Sequence, residues 1–404
     1  MANTLLTPTM VTKESLRILE NLLTFSKGVN REYDDRFAVQ GAKIGATLTI
    51  RKPNRFTVSS GAALSIQDIT DPSVVLTIDT QNHVDTNLTS EELTLDIDMF
   101  ADRILKPKMA ALANQIDYAG CSQYVNIWSS AGTAGTDPNS VAAVLGAQTR
   151  LMNQACPFDG QVSFVINPAA NGALVSGLSG LFQSASKIAD QYEEGNMGRA
   201  LGFKFSMDQN VARHSNGPQA ASGAGTVTVL GASQTGTSLI TQSWSNGTTI
   251  SAGTIFTIAN VMAVNPQNRQ STGQLQQFVV TTAATAPAAG TVTFSIQPPI
   301  YSDGAFQTVN GTAANGAALT LIGSASTQFA QNLAFHRDAF TLATVDLEDV
   351  SKYGAWGARM QHKGISLRVA RQYRVGTDDV PCRVDVLYGW KTIYPELACR
   401  VYGA

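Results

Sequence analysis

The chain has 404 residues, enough for two or three domains and too many for one simple core. Hydrophobic residues make up 44% and charged residues 14%, which excludes disorder as the default and leaves much of the surface neutral, a kind of surface often buried against partners. The net charge of −2, with no Lys/Arg-rich block, speaks against specific binding of DNA or RNA.

Residues 1–30 read as an arm. Thr12 is placed to cap a helix from Lys13 to about Thr24, with Leu16, Leu19, Leu22 and Leu23 on one stripe. A helix this short needs something to pack on: its own core, a neighbouring subunit or a partner helix. Residues 31–97 read as extended chain, alternating at Ala46–Arg51, Ser73–Asp79 and Leu93–Ile97. The polar stretch Asn54–Pro72 makes this a long β-hairpin with a wide tip, or an edge sheet, and such edges usually find a partner.

A helix capped by Asp98 follows, with Ile104, Leu105, Met109, Leu112, Ile116 and Ala119 at helical spacing. Its reach is about 30 residues, roughly 45 Å. Pro107 should kink it or mark the start of its main part. A loop then leads to a helix capped by Asn139 or Ser140, a buried strand Val162–Ile166 and a helix from Pro168 to Ser179. Gly195, Gly198 and Gly202 punctuate the segment Glu194–Val211, which leads into a strand Gly202–Met207.

Between Ser215 and Thr327 only Arg269 and Asp303 are charged. Strand-like stretches at Thr226–Leu230, Thr254–Val264, Gln276–Thr282, Thr291–Ile296 and Ala318–Ile322 suggest a small antiparallel barrel or sandwich, inserted as a domain. The earlier composition then returns, with strands at Asn332–Ala343, Gly364–Arg374 and Cys382–Tyr388.

No catalytic constellation emerges. Phosphate-cradling glycine loops and a nucleophile elbow are absent from the sequence. His83, His214, His336 and His362 are scattered without metal-ligand spacing, and His336 reads as an edge or interface histidine. Cys121, Cys156, Cys382 and Cys399 fit no zinc pattern and read as buried, reduced thiols. The acidic doublets Asp34-Asp35, Glu91-Glu92, Glu193-Glu194 and Asp378-Asp379 read as solvated, and Arg368, Arg371 and Arg374 as a salt-bridged intersubunit face. Neither a signal peptide nor a membrane span is visible, so the sequons at Asn87, Asn246 and Asn310 are taken as chance. No cofactor or metal is expected.

The order of the pieces carries a resemblance. ILKPKMAALANQID resembles the start of the spine helix of the major capsid proteins of tailed phages, the Hong Kong phage-type fold. EGNMGRALGFKFSMDQNV resembles that family's axial loop and strand, and NLAFHRDAFTLATVDLE the strand that follows. The inserted β segment, and the end CRVDVLYGWKTIYPELACRVYG, resemble the coat proteins related to that of the Salmonella short-tailed phage. The resemblance implies an α+β capsid fold in six parts. These are an N-terminal arm (1–30), an extended hairpin (31–97), a peripheral domain with the spine helix (98–150), an axial domain (151–215), an inserted antiparallel β-barrel (216–327) and return strands (328–404). It implies a structural shell protein, not an enzyme, assembling with itself into pentamers and hexamers of an icosahedral head. Implied partners are a scaffolding protein, a portal and packaged double-stranded DNA enclosed without sequence-specific contacts. The implied location is the virion, with assembly in the host cytoplasm. Candidate intersubunit or scaffold contacts are Leu16, Leu19, Leu22 and Leu23 of the arm, Arg55 and Phe56 of the hairpin, Gly195 and Gly198 of the axial loop, and Arg269 and Asp303 of the insertion. The competing reading is a secreted or surface fibre protein, which predicts a secretion signal and repeats.

Overall fold

The structure, a computed structural model, describes residues 8–32, 47–62, 64–70, 72–89, 105–178, 197–219, 226–362 and 364–403. They fall into two units, the first from residues up to Arg51, Ser73–Gly120 and Phe340–Lys391, the second from Lys52–Pro72, Cys121–Ala339 and Thr392–Ala404.

In the first unit, helix α1 spans Pro8–Leu22. Its described part begins at Pro8, one turn before the expected cap. Thr12 is not a cap but a fully buried residue inside it. Val11, Leu16, Ile18 and Leu19 are buried where α1 packs on the strands Trp356–His362 and Ile365–Arg371. A short 3-10 turn, Phe25–Gly28, follows. Its approach is fixed by Asp117, which accepts from Thr24 N at 2.6 Å, Ser26 N at 3.0 Å and the Ser26 hydroxyl. Burial raises the Asp117 pKa, and these three donors counter the shift.

Asp117 lies on α2, Lys106–Cys121, whose described length is 16 residues, about 24 Å. Pro107 stands in its first turn, the position proline tolerates. The expected cap Asp98, the residues up to Ile104 and the expected strand Leu93–Ile97 lie outside the described residues. So do Gly195 and the doublets Asp34-Asp35, Glu91-Glu92 and Glu193-Glu194.

The five-stranded sheet of this unit is built on the long strand Asp379–Thr392. Thr80–Thr89 pairs with it in antiparallel register from Tyr388↔Thr80 to Asp379↔Thr89. Of the three arginines expected to face a neighbour, Arg368 and Arg374 are paired within the chain instead, and Arg371 lies 5.8 Å from the Trp356 ring. Arg368 forks onto the fully buried Asp385 at 3.0 and 2.6 Å, joined by Arg383 at 3.1 Å, and Arg374 pairs with Asp379. Asp379 is therefore not a solvated loop acid. Arg374, Thr377 and Asn87 surround its carboxyl and hold its pKa down to about 2. The hairpin stem also belongs here, Thr47–Arg51 antiparallel to Ser73–Thr77.

The second unit has a six-stranded sheet in the order Ser130–Ala131, Ala398–Val401, Asn332–His336, Val162–Ile166, Phe203–Met207 and Arg199–Ala200. Helices α3 (Val141–Asn153) and α4 (Pro168–Leu178) supply Val144, Ala147, Leu151, Ala170 and Leu174 to its core, with Phe164 and Phe203. Asn332–Ala343 is not one strand. It breaks at the 3-10 turn Arg337–Ala339, and Phe340–Val345 joins the sheet of the first unit. His336 is not at an edge or interface: it is buried in a central strand, with Asp159 3.3 Å from Nε2.

The inserted segment forms an antiparallel barrel. Its strand order is Leu319–Leu321, Ile255–Val264, Ser271–Val280, Val292–Ile300, Gly236–Gln242, Thr228–Val229, and the bridge Thr228↔Ala318 closes the ring. Trp244, Phe256, Phe278 and Phe294 fill it, and Trp244 Nε1 donates to Thr241 Oγ1 at 2.9 Å. The chain enters and leaves through a two-stranded neck, Arg213–Ser215 against Gln328–Ala330. The four cysteines are all buried and unpaired with one another.

Candidate assembly surface

Between the two stem strands, the hairpin tip presents Phe56, Val58, Leu64, Ile66 and Ile69, each more than half exposed and Val58 98% exposed. Gln67 staples its two limbs, accepting from Thr57 N at 2.7 Å and donating to Thr57 O. A side-chain amide thus replaces a missing rung of backbone pairing, leaving the apolar side chains outward.

The root of the tip is held within the second unit by cations. Arg55 Nη2 reaches Glu396 Oε1 at 3.3 Å and its guanidinium lies 5.9 Å from the Phe306 ring. Lys52 Nζ stands 5.0 Å from the Tyr394 ring, and burial lowers its pKa while Glu396 opposes the shift. From the barrel, Arg269 Nη2 donates to Phe56 O at 2.6 Å and to Ala305 O at 3.5 Å. The turn that aims it is local. Asn265 Oδ1 accepts from Gln267 N at 2.9 Å, Asn265 O accepts from Arg269 N at 2.8 Å, and Arg269 sits in the left-handed region at φ 56°. Exposed Asp303 borders the same groove as Arg55.

Of the residues singled out in the sequence, Arg55, Phe56, Arg269 and Asp303 are therefore gathered in one region. Leu16, Leu19 and Leu23 are buried in their own unit, so the chain's own core is their packing partner, and Leu22 is the leucine of that stripe facing solvent, 44% exposed. Gly198, at φ 59°, accepts from Phe205 N through its carbonyl at 2.9 Å. It precedes a tight turn in which Leu201 and Gly202 both have positive φ, the geometry two-residue hairpins require. The sequence did not flag Trp128 or Gln297, which line the groove beside the tip root. Isolated residues of these types carry no local signal.

Among the described residues, no group of His, Cys, Asp and Glu could hold a metal ion, and no helix is long and apolar enough to cross a membrane.

No curated protein sequence matches the chain. Among solved structures, one from Mycobacterium phage Che8 is similar at 14% identity over 94% of this chain and 90% of that one, with a TM-score of 0.47. The capsid of cyanophage P-SCSP1u is similar at 11% identity over 90% and 84%, with a TM-score of 0.40. The I-domain of the CUS-3 coat protein is 26% identical, covering 25% of this chain and 100% of its own, with a TM-score of 0.20. The family model described as P22 coat protein, gene protein 5, matches residues 1–403, which sets aside the fibre reading. The chain belongs to the P22 coat protein family, and is a structural major capsid protein of a tailed bacteriophage with the Hong Kong phage-type α+β fold.

Proposed function

We propose that copies of this chain assemble as pentamers and hexamers of an icosahedral head that encloses double-stranded DNA. Assembly takes place in the host cytoplasm with a scaffolding protein and around a portal. The observation that carries this reading is the hairpin tip, five large apolar side chains held in water by a stapled loop. Large apolar side chains gathered on one exposed loop point to an interaction site. Buried apolar area is worth roughly 25 cal/mol per Å², much of it cancelled by ordering and desolvation on association. Single contacts are then weak and correctable, while a closed array of heterologous contacts multiplies them. The near-neutral charge suits a wall that DNA slides past.

In this reading the arm (1–30) meets scaffold or neighbours, with exposed Leu22 as its contact. The hairpin (31–97) lies over a neighbouring subunit, the loop at Gly195 and Gly198 points to the capsomer axis, and 98–150, 151–215, 216–327 and 328–404 are the peripheral, axial, inserted and return segments. Deleting residues 54–72 tests it. The expected result is a folded subunit by circular dichroism and no stable shells by electron microscopy. Intact particles of normal size would refute the assignment of the hairpin.

A further inference from the structure

Asn-Gly pairs occur in the chain at Asn171, Asn216, Asn246, Asn310 and Asn315. An asparagine before glycine can cyclise, because no Cβ shields the glycine nitrogen from the neighbouring side-chain carbonyl carbon. Two freedoms are required. The side chain must swing over that nitrogen, and the backbone must open locally.

Four of these pairs are held. Asn171 lies within α4, whose regular backbone keeps the next amide away from the side chain, and its own N–H donates to Asn167 O at 3.0 Å. Asn216 is 4% exposed, and its Nδ2 donates to Ile322 O at 3.4 Å and to Ser324 O at 3.0 Å. Asn310 Oδ1 accepts from Met262 N at 2.7 Å, while Asn310 N donates to Met262 O at 3.1 Å. Asn315 Oδ1 accepts from Gly231 N at 2.8 Å, and Gly316 N donates to Val229 O at 2.9 Å. Turning any of the last three side chains leaves a partner unmade.

Asn246 differs. It stands exposed in the turn Ser245–Thr248, closed by Thr248 N donating to Ser245 O at 3.1 Å. Among the described residues, none hydrogen-bonds to any polar atom of Asn246. The approach is open, since a Cβ built on Gly247 would meet nothing within 4 Å. A single bond restrains the pair, from Gly247 N to Ala286 O at 2.9 Å.

We propose that Asn246-Gly247 is a site of spontaneous covalent modification. Gly247 N gives up its proton to solvent and attacks Asn246 Cγ. The new N–C bond closes a cyclic imide, and the side-chain nitrogen departs as ammonia. Water then opens the ring at one carbonyl or the other, giving aspartate or isoaspartate. The product matters because of where it forms. Arg269 and Asp303 are the only charges between Ser215 and Thr327, and they cancel, so one conversion gives a neutral barrel a net negative charge. The site does not rest on the shell reading.

The full-length subunit would be held at mildly alkaline pH, natively and in urea, then digested in acid and its Asn-Gly peptides followed by mass spectrometry. In urea every pair should convert at a comparable rate. In the native subunit the Asn246 peptide should convert first, to a mixture of aspartate and isoaspartate, and faster as pH rises. Since one hydrogen bond holds it, it should lag the urea sample by about tenfold at most. A more acidic form of the intact protein should appear on anion exchange. Asn246→Gln, whose side chain must close a larger ring, should fold like the parent by circular dichroism and develop no such form. An Asn246 peptide that keeps its amide, native conversion of every pair at a comparable rate, or an acidic form that arises equally fast in Asn246→Gln overturns the proposal.

Discussion

Arg400 and His214 share one buried cluster in the second unit. The Arg400 guanidinium, 1% exposed, donates to Gly253 O and lies 5.0 Å from the Tyr124 ring. His214 Nδ1 is 3.1 Å from the Tyr124 hydroxyl, and Nε2 faces Thr254 Oγ1 at 3.4 Å. Burial, reinforced by Arg400, lowers the His214 pKa to about 4. An unfolded histidine takes up its proton near pH 6.5, so between 6.5 and about 4 the unfolded chain is protonated where the folded one is not. Stability should therefore drain away as pH falls through that window, by up to about 3 kcal/mol. His214→Gln cannot titrate and should lose less melting temperature across the window. Parallel pH profiles for the two proteins would show that His214 is not responsible. Arg400→Ala should destabilise by about 3 kcal/mol or more in denaturant unfolding, because it opens a cavity and strips Gly253 O of its donor.

The segment joining α1 to the core depends on one carboxylate and one glycine. Asp117→Ala would orphan the amides of half-buried Thr24 and buried Ser26, and about 3 kcal/mol of stability should disappear. A Cβ on Gly120 would stand 2.7 Å from both Phe25 Cδ1 and Trp390 Cζ2, so Gly120→Ala should cost about 1–3 kcal/mol by overpacking. Urea unfolding measures both, and an unchanged midpoint for either would refute its assigned role. Legibility also divides by element. Val162–Ile166 and Pro168–Leu178 were readable because burial left a clean apolar run or a proline start. Thr80–Thr89 fell inside the extended stretch 31–97 but was not singled out as a strand, since QNHVDTNLT is polar and its strand state comes from pairing with Asp379–Tyr388. Trp356–His362 shows no buried position along its length, so no alternation betrays it. The break at Arg337–Ala339 was hidden for the opposite reason, every residue of both flanking strands being buried. In the candidate site, Asn54–Pro72 was legible as a wide tip between alternating strands but read as polar, whereas the structure exposes five large apolar side chains there, scattered singly in the sequence among small and polar residues. The link from Arg269 to Phe56 spans 213 residues and has no local trace.

For the molecule as a whole, the barrel has its own closed ring of strands and its own aromatic core, distinct from the cluster around Phe164 and Phe203. A fragment of residues 216–327 is expected to fold alone and to melt in one cooperative transition followed by circular dichroism. A featureless spectrum would count against its independence. The composition boundary near Ser215 and the return of charge after Thr327 made this segment visible from the sequence. Its near-total lack of charge also means that its attachment uses backbone carbonyls and rings, as Arg400 to Gly253 and Arg269 to Phe56 show.

The neck gives the barrel a modular character. Ser215 and Gln328 are direct partners across an antiparallel pair, so the chain departs for the barrel and comes back at the same point. A two-residue Asn-Gly turn could close that gap and delete the module outright. Any foreign domain whose ends lie side by side could be spliced there instead. Lineages could thus gain, lose or exchange the module with little change to the sheet beneath it, and engineers could use the junction as a port for displayed cargo.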